Sequence, residues 1–500
     1  MKKLIQSIIF ICIAFTAFSQ STFNKTTLFL DTNNKSTEYP ASIIKFQGAY
    51  YGTVEIYDSL NIPYIGIIKL DKYGNVLRKN FLQYNNARIA TYPNQSIINT
   101  SDNNLIISSN LAFYGTGFWD GYLIKLDTNL DTLWTRVYDL PYNLANCTND
   151  TNVPNFFTAI KETPDKGFII TGNYQRNCIN TMVNQRGFLL KVDSVGNIQW
   201  WKAYTDVKHL YDIELTTDGG YVFFNKYSFT KFTKTDSLGN IKWSSSPSVY
   251  VGQSEAGDIT PIGNNEYIVA LPYEYKSDKY GINIYKININ TQQILWDTTY
   301  NLYYDVKCLS LNQNMGVEVN NSGEIIIWAT AHVIEGKGRC GAILKLNSQG
   351  DSLWAHYYQG PNHVFHDLYQ LNDLVITDDG GFFGVGYKYI YNSGKIKAWI
   401  FKTNASGVIG WEEQPPFESL MAKIYPNPAQ DYTNVVFDEA LKTNAEIIVY
   451  NSLGALVLQK PLAKNKKEFN LNLQGFGSGV YFYVVSDGIE SLVSGKFLVE

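Results

Sequence analysis

The chain is poor in the residues that most catalytic chemistry uses. Its 500 residues include 5 Cys, 4 Met and 5 His, and only 17% of them are charged. Arginine is scarce, with six copies dispersed along the chain, and the net charge is only −4. Lysine is scattered too, which leaves no basic face for nucleic acid and no polybasic patch for a membrane. No Ser-His-Asp order, nucleophile elbow or phosphate-cradling Gly loop is present, so the sequence names no catalytic residue, no cofactor and no metal centre. Beyond residues 4–18 no apolar run is long enough to span a membrane as a helix.

The one apolar run has its own reading. Met1-Lys2-Lys3 leads into Leu4 to Phe18, and the run ends at Ala17-Phe18-Ser19. That is the form of a secretory signal peptide (1–19), with cleavage expected near Ser19 and Gln20. Cys12 lacks the small residues that would precede a lipidated cysteine, so the expected product is exported and carries no lipid.

What the chain has in excess is aromatic: 15% of residues, with 37 Tyr, 27 Phe and 10 Trp. These residues favour pleated, half-buried backbone, so the composition predicts an all-β protein. A repeat gives the unit. Lys, a small or apolar residue, and Asp or Asn recur from Lys69, Lys125, Lys191, Lys234, Lys286, Lys345 and Lys402. A tryptophan follows at constant spacing at Trp134, Trp200, Trp243, Trp354 and Trp411; Trp296 comes one residue late, and Arg78 holds the place in the first copy. Between these triplets lie turns followed by apolar strands, clearest at Thr217-Asp218-Gly219-Gly220 and Asp378-Asp379-Gly380-Gly381. Four short strands per copy predict a seven-bladed β-propeller over residues 20–411. Thr27-Leu28-Phe29-Leu30 is placed to lend a strand to the last blade, and each Trp to wedge between blades. The plain reading of the Lys-x-Asp triplet is structural, with Lys held at a strand end and Asp capping the turn that follows.

In such a blade the short turns lie at one end of the strands and the variable connections at the other, which is where function tends to sit. Four cysteines follow the signal peptide. Cys147 and Cys178 fall in connections of one blade, and Cys308 and Cys340 repeat that arrangement three blades later. In an exported chain this predicts disulfides Cys147–Cys178 and Cys308–Cys340, against the alternative of buried free thiols. Tyr114, Phe118 and Trp119 share one connection and could stack on sugar faces or fold back onto the blade. His363 and His366 form His-x-x-His beside Asp367, a pair that could take a ligand or metal on the loop face; zinc needs three or four converging ligands, so the plainer reading is a polar loop. A sialidase-like hydrolase would need clustered Arg, which the dispersed arginines do not offer.

Residues 412–419, Glu412 to Ser419, are acidic and Pro-rich and read as a linker. The remaining segment, 420–500, has a different alternation, that of a small C-terminal β-sandwich. Its Tyr425-Pro426-Asn427-Pro428, the run Ile448 to Gly454, Ser478-Gly479-Val480-Tyr481-Phe482 and terminal Lys496-Phe497-Leu498-Val499 resemble the type A C-terminal sorting domain of the Bacteroidota type IX secretion system. The resemblance marks Pro426, Asn427, Pro428, Gly454, Gly479, Tyr481 and Lys496 as sorting-motif residues. It implies the type IX machinery as partner, and passage through the periplasm and outer membrane to the cell surface or medium. The repeat region is similar to secreted Bacteroidota propellers of the delta-60 kind. Taken together these expectations describe a binding or adhesion module for glycan or protein; the alternatives are an extracellular polysaccharide-active enzyme and a structural surface protein.

Overall fold

The computed structural model describes residues 22–29, 36–60, 62–92, 95–115, 119–140, 155–176, 184–204, 207, 209–226, 230–245, 257–276, 279–300, 315–332, 339–360, 367–391, 393–409, 422–437, 439–441, 443–452, 455–486 and 491–500. Every regular element among them is a β-strand. The chain divides into two compact units, Met1–Glu412 and Glu413–Glu500.

In the first unit the described strands form seven successive antiparallel meanders. Their first strands are Thr37–Phe46, Ala87–Thr91 with Ile97–Asn99, Asn155–Glu162, His209–Leu215, Asp258–Gly263, Met315–Val319 and Leu368–Ile376. The sixth and seventh meanders share one sheet through a single parallel pair, Arg339 with Leu368. The seventh has three strands of its own, and Phe23–Thr27 adds the fourth by pairing with Lys395–Lys402. The added strand thus lies four residues before the segment the sequence suggested. The reason is local: the Phe29 amide donates to Glu38 Oε2 at 2.6 Å, and its ring is buried, so residues 28–29 turn away from the sheet edge.

The triplets do what turn chemistry requires. In the first, second, third and fourth meanders Asp71, Asp127, Asp193 and Asp236 accept amide hydrogens two and four residues on, as do Asn347 and Asn404 in the last two. The lysine reaches back to the acid of the hairpin between first and second strands: Lys125 to Asp102 at 2.7 Å, Lys191 to Asp165 at 2.9 Å, Lys234 to Asp218 at 2.5 Å and Lys402 to Asp379 at 2.8 Å. Glu266 and Glu324 take that role for Lys286 and Lys345. Partial burial raises Asp102, Asp165 and Asp218, but the lysine and the neighbouring Thr hydroxyls outweigh it and hold these carboxyls at about 2.

The tryptophans pack from one meander onto the next. Trp134, Trp200, Trp243, Trp296 and Trp354 each sit opposite the triplet lysine in the strand ladder. Trp296 comes late in sequence because its turn, between Asn288 and Gln293, is one residue longer, and the ladder register is kept. Four of the rings cover the turn glycine of the following meander. A Cβ on Gly407, whose φ is +75°, would lie 2.7 Å from Trp354. A tyrosine four residues after the Trp completes the contact: Tyr138, Tyr204 and Tyr358 donate to Gly196, Gly239 and Gly407 carbonyls at 2.7–2.8 Å, and Tyr300 to Gly350. Phe23 of the added strand covers Gly74 of the first meander in the same manner.

The first strands carry a second set of links. Most have a bulge, as between Pro40 and Ser42 and between Leu371 and Asp373, which frees backbone amides for a neighbour. Buried side chains answer them. Asn110 bonds Phe157, Asn173 bonds Leu210, Asp212 accepts from Ile259, Asp258 from Val317, and Thr330 bonds Leu371. Asp373 accepts from Ser42 Oγ at 2.7 Å and the Ile43 amide at 2.8 Å, which ties the seventh meander to the first.

The second unit stacks a three-stranded sheet, with Tyr432–Phe437 central, on a four-stranded one built around Ala445–Tyr450 and Gly479–Ser486. Its core includes Val435, Ile447, Val449, Tyr483 and Phe497.

Candidate ligand-binding surface on the loop face

The ends of the strands away from the short turns carry a connected group of tyrosines, amides and guanidinium groups. It starts on the second strand of the first meander, Ala49–Tyr57, where Tyr57 donates to Glu55 Oε1 at 2.7 Å. Arg88, near the start of the second meander, donates from Nη1 to Tyr57 Oη at 2.8 Å and holds Glu55 at 3.2 Å through Nε. Its guanidinium also lies over the Trp119 ring, 5.4 Å from the centroid, a cation–π contact, and Trp119 meets Phe156 of the third meander at 5.1 Å. Burial raises the Glu55 carboxyl, and the Arg88 charge opposes that shift.

From Tyr57 the group runs the other way. Tyr39 stands edge-on to Tyr57 at 6.2 Å and to Tyr387 at 5.2 Å. Tyr387 donates to Gln370 Oε1 at 2.6 Å, and Arg339 Nη1 reaches the same oxygen at 3.3 Å. Burial pushes the Tyr387 phenol up to about 12, against the pull of Arg339. Gln370 is fixed in turn through Asn372, which donates to the Pro40 carbonyl at 2.5 Å. Chemically the arrangement offers aromatic rings beside donors and acceptors of fixed direction, the combination that binds hydroxyl-rich molecules.

A second pair lies at the same end of the second meander. Asp120 and Asp139 extend the ladder that pairs Gly121 with Tyr138, which sets them side by side on adjacent strands. Burial, then the charge of Asp139, pushes Asp120 up to about 6. Among the described residues no three His, Cys, Asp or Glu side chains converge to hold a metal ion.

The residues singled out from sequence are distributed unevenly. Tyr114 is 58% exposed beside the connection after Leu105–Phe113, while Trp119 lies back on Arg88 and Phe156. Phe118, His363, His366, Cys147, Cys178, Cys308 and Gly454 lie outside the described residues, as does the apolar segment 1–19. Cys340 is buried, its thiol 3.7 Å from the Ala331 carbonyl, and burial pushes it up to about 12. In the C-terminal unit Asn427 Oδ1 accepts the Leu498 amide at 2.8 Å, between Pro426 and Pro428, whose preceding peptide bonds are cis. Tyr481 is buried against Phe497 and donates to the Gly477 carbonyl at 2.8 Å; Gly479 opens its strand by pairing with Val499, and Lys496 is exposed opposite Phe482. Sequence reasoning missed Tyr39, Glu55, Tyr57, Arg88, Arg339 and Tyr387. The usable signal was a charged residue at the loop end of an otherwise apolar strand, as at Arg88 and Arg339.

No curated protein matches the chain by sequence. Among solved structures it is similar to a protein of unknown function from Bacteroides caccae, at 10% identity over 60% of this chain and 93% of that one, with a TM-score of 0.36. An α-L-arabinanase of Penicillium chrysogenum complexed with arabinobiose gives 11%, 77%, 99% and 0.43. A polysaccharide lyase, an ulvan lyase bound to a GlcA–Rha3S saccharide, gives 9%, 77%, 98% and 0.41. Likenesses of this strength carry neither fold nor activity across. The C-terminal segment is different: residues 423–500 match the secretion system C-terminal sorting domain, and the protein is therefore exported by the type IX secretion system to the cell surface or the extracellular space.

Proposed function

We propose that the first unit is a seven-bladed β-propeller and that the protein is a binding or adhesion module whose loop face takes up glycan or protein outside the cell. In this reading residues 1–19 are a signal peptide, 20–411 the propeller, 412–419 a linker, and 420–500 the sorting domain. Support for the propeller comes from the buried links between successive meanders. From its first or second strand each meander reaches the start of the next, and Asp373 joins the last to the first. Phe23 of the added strand lies over Gly74 of the first meander, as the tryptophan rings lie over the turn glycines elsewhere. Cys147–Cys178 and Cys308–Cys340 remain the proposed disulfides, although Cys340 stands in the structure as a free buried thiol; peptide mapping without reduction decides between the bridge and the free thiol.

One observation carries the binding role: the tyrosine, amide and guanidinium group from Arg88 to Arg339 spans four meanders, the first, second, sixth and seventh, at the loop end. Glycan-array and cell-surface protein binding by the purified chain tests it. Tyr39→Ala should abolish retention while leaving the fold intact by circular dichroism; unchanged retention removes the loop face from the binding role. The pair Asp120 and Asp139 favours a second reading, a polysaccharide-active enzyme in which Asp120 serves as the proton donor. Release of reducing ends from a polysaccharide panel, lost in Asp120→Asn, would establish it.

A further inference from the structure

We propose that the loop-face site selects acidic glycans, with Arg339 as the receptor for a uronate carboxylate and the Arg88–Glu55 pair as the receptor for hydroxyls. The inference rests on the binding role above and adds the chemical class of the ligand. It follows from how charge is compensated around the tyrosines. Arg88 is neutralised by Glu55 at 3.2 Å and tied to Tyr57. Lys388, on the second strand of the seventh meander, and Asp367, just before its first strand, form a buried pair at 2.8 Å. Arg339 pairs in the ladder with Leu368, beside Asp367, yet among the described residues its guanidinium meets only a neutral partner, Gln370 Oε1 at 3.3 Å. Among the described residues two ion pairs cancel and the Arg339 guanidinium meets no counter-ion, half-buried on the same Gln370 oxygen as Tyr387, in a chain whose net charge is −4.

A half-buried guanidinium without a counter-ion is a standing electrostatic cost, and a planar carboxylate matches its fork of donors. The rings beside it suit the apolar face of a pyranose. The Arg88–Glu55 pair, already charge-balanced, offers donors and acceptors to neutral hydroxyls without attracting an ion. A neutral sugar would satisfy the second part of this site and leave the first unanswered. A sulfate ester could also meet one arginine but would not gain from the planar match. An acidic peptide would bring the carboxylate without the ring.

The test compares the purified full chain by titration calorimetry on polygalacturonate, alginate and glucuronan, on methyl-esterified pectin and galactan as neutral counterparts, and on polyglutamate. The expected result is binding to at least one uronate polymer at least tenfold tighter than to its neutral counterpart, weakening as salt rises. Arg339→Gln should erase that difference while melting at the wild-type temperature, and Arg339→Lys should restore part of it. Equal affinity for charged and neutral glycans, or discrimination that survives in Arg339→Gln, overturns the acidic preference and leaves glycan binding standing. Tighter binding to polyglutamate overturns it in favour of a peptide. Absence of binding to every glycan overturns both the preference and the glycan role on which it rests.

Discussion

At the scale of single residues, the two classes of carboxylate give the protein opposite responses to pH. Glu214, Glu318 and Asp373 lie on first strands, and burial pushes each up to about 7. A carboxyl raised in the folded state favours folding while it is protonated. Its contribution is complete below the unfolded value near 4 and is lost as pH climbs through 7. The turn carboxyls Asp102, Asp165 and Asp218 behave in the reverse sense: held at about 2, they stabilise above pH 4 and lose that contribution as pH falls toward 2. The melting temperature should therefore be highest near pH 4–5 and decline toward pH 8. Asp373→Asn keeps an acceptor for Ser42 and Ile43 but removes the charge, so it should flatten the alkaline side of the Tm profile. The rise from 3.8 to about 7 sets a ceiling of about 4 kcal/mol on that gain. A variant whose alkaline decline matches wild type would show that Asp373 is already hydrated there. Lys234→Met, which breaks a half-exposed pair, should cost less than about 1 kcal/mol.

At the scale of elements, the contact between one meander's fourth strand and the next meander's turn is the repeated unit of cohesion. Trp354→Ala should cost about 3 kcal/mol by leaving a cavity over Gly407. Tyr358→Phe should cost about 1 kcal/mol through the lost bond to the Gly407 carbonyl, read from urea unfolding. Gly407→Ala combines a left-handed backbone with a 2.7 Å approach to Trp354 and should destabilise more than Tyr358→Phe. The added strand makes a sharper case. Deleting residues 22–27 exposes the edge of Lys395–Lys402 and uncovers Gly74, so the chain should melt earlier and aggregate. A truncated chain that stays monomeric with an unchanged Tm would deny the strand its closing role.

For the whole molecule, the sorting domain and the proposed binding surface lie in separate units of the chain. Removing residues 423–500 should leave the protein inside the outer membrane, and joining 413–500 to an unrelated periplasmic carrier should bring that carrier out. Cell fractionation with immunoblotting reads both results. Carrier retention would mean that the first unit also contributes to sorting. The truncated protein should keep its ligand, because every residue of the loop-face group lies before 412.

Much of this was legible in the sequence, for a physical reason. Turns, caps and strand alternation depend on neighbours within a few residues, so the Lys-x-Asp triplets, the Asp-Gly hairpins, the all-β composition and the sorting segment could be read directly. The tryptophan spacing even exposed the longer turn at Asn288–Gln293. The strand Phe23–Thr27 was misplaced by four residues because its partner, Lys395–Lys402, lies at the other end of the chain. The loop-face group is a product of tertiary structure alone. Arg88 and Arg339 are 251 positions apart, dispersed by any local reading, and only packing the first, second, sixth and seventh meanders together brings them to the two ends of one row of tyrosines. Local sequence fixes backbone chemistry because its partners are nearby; a binding surface draws on side chains that meet only when the sheets do.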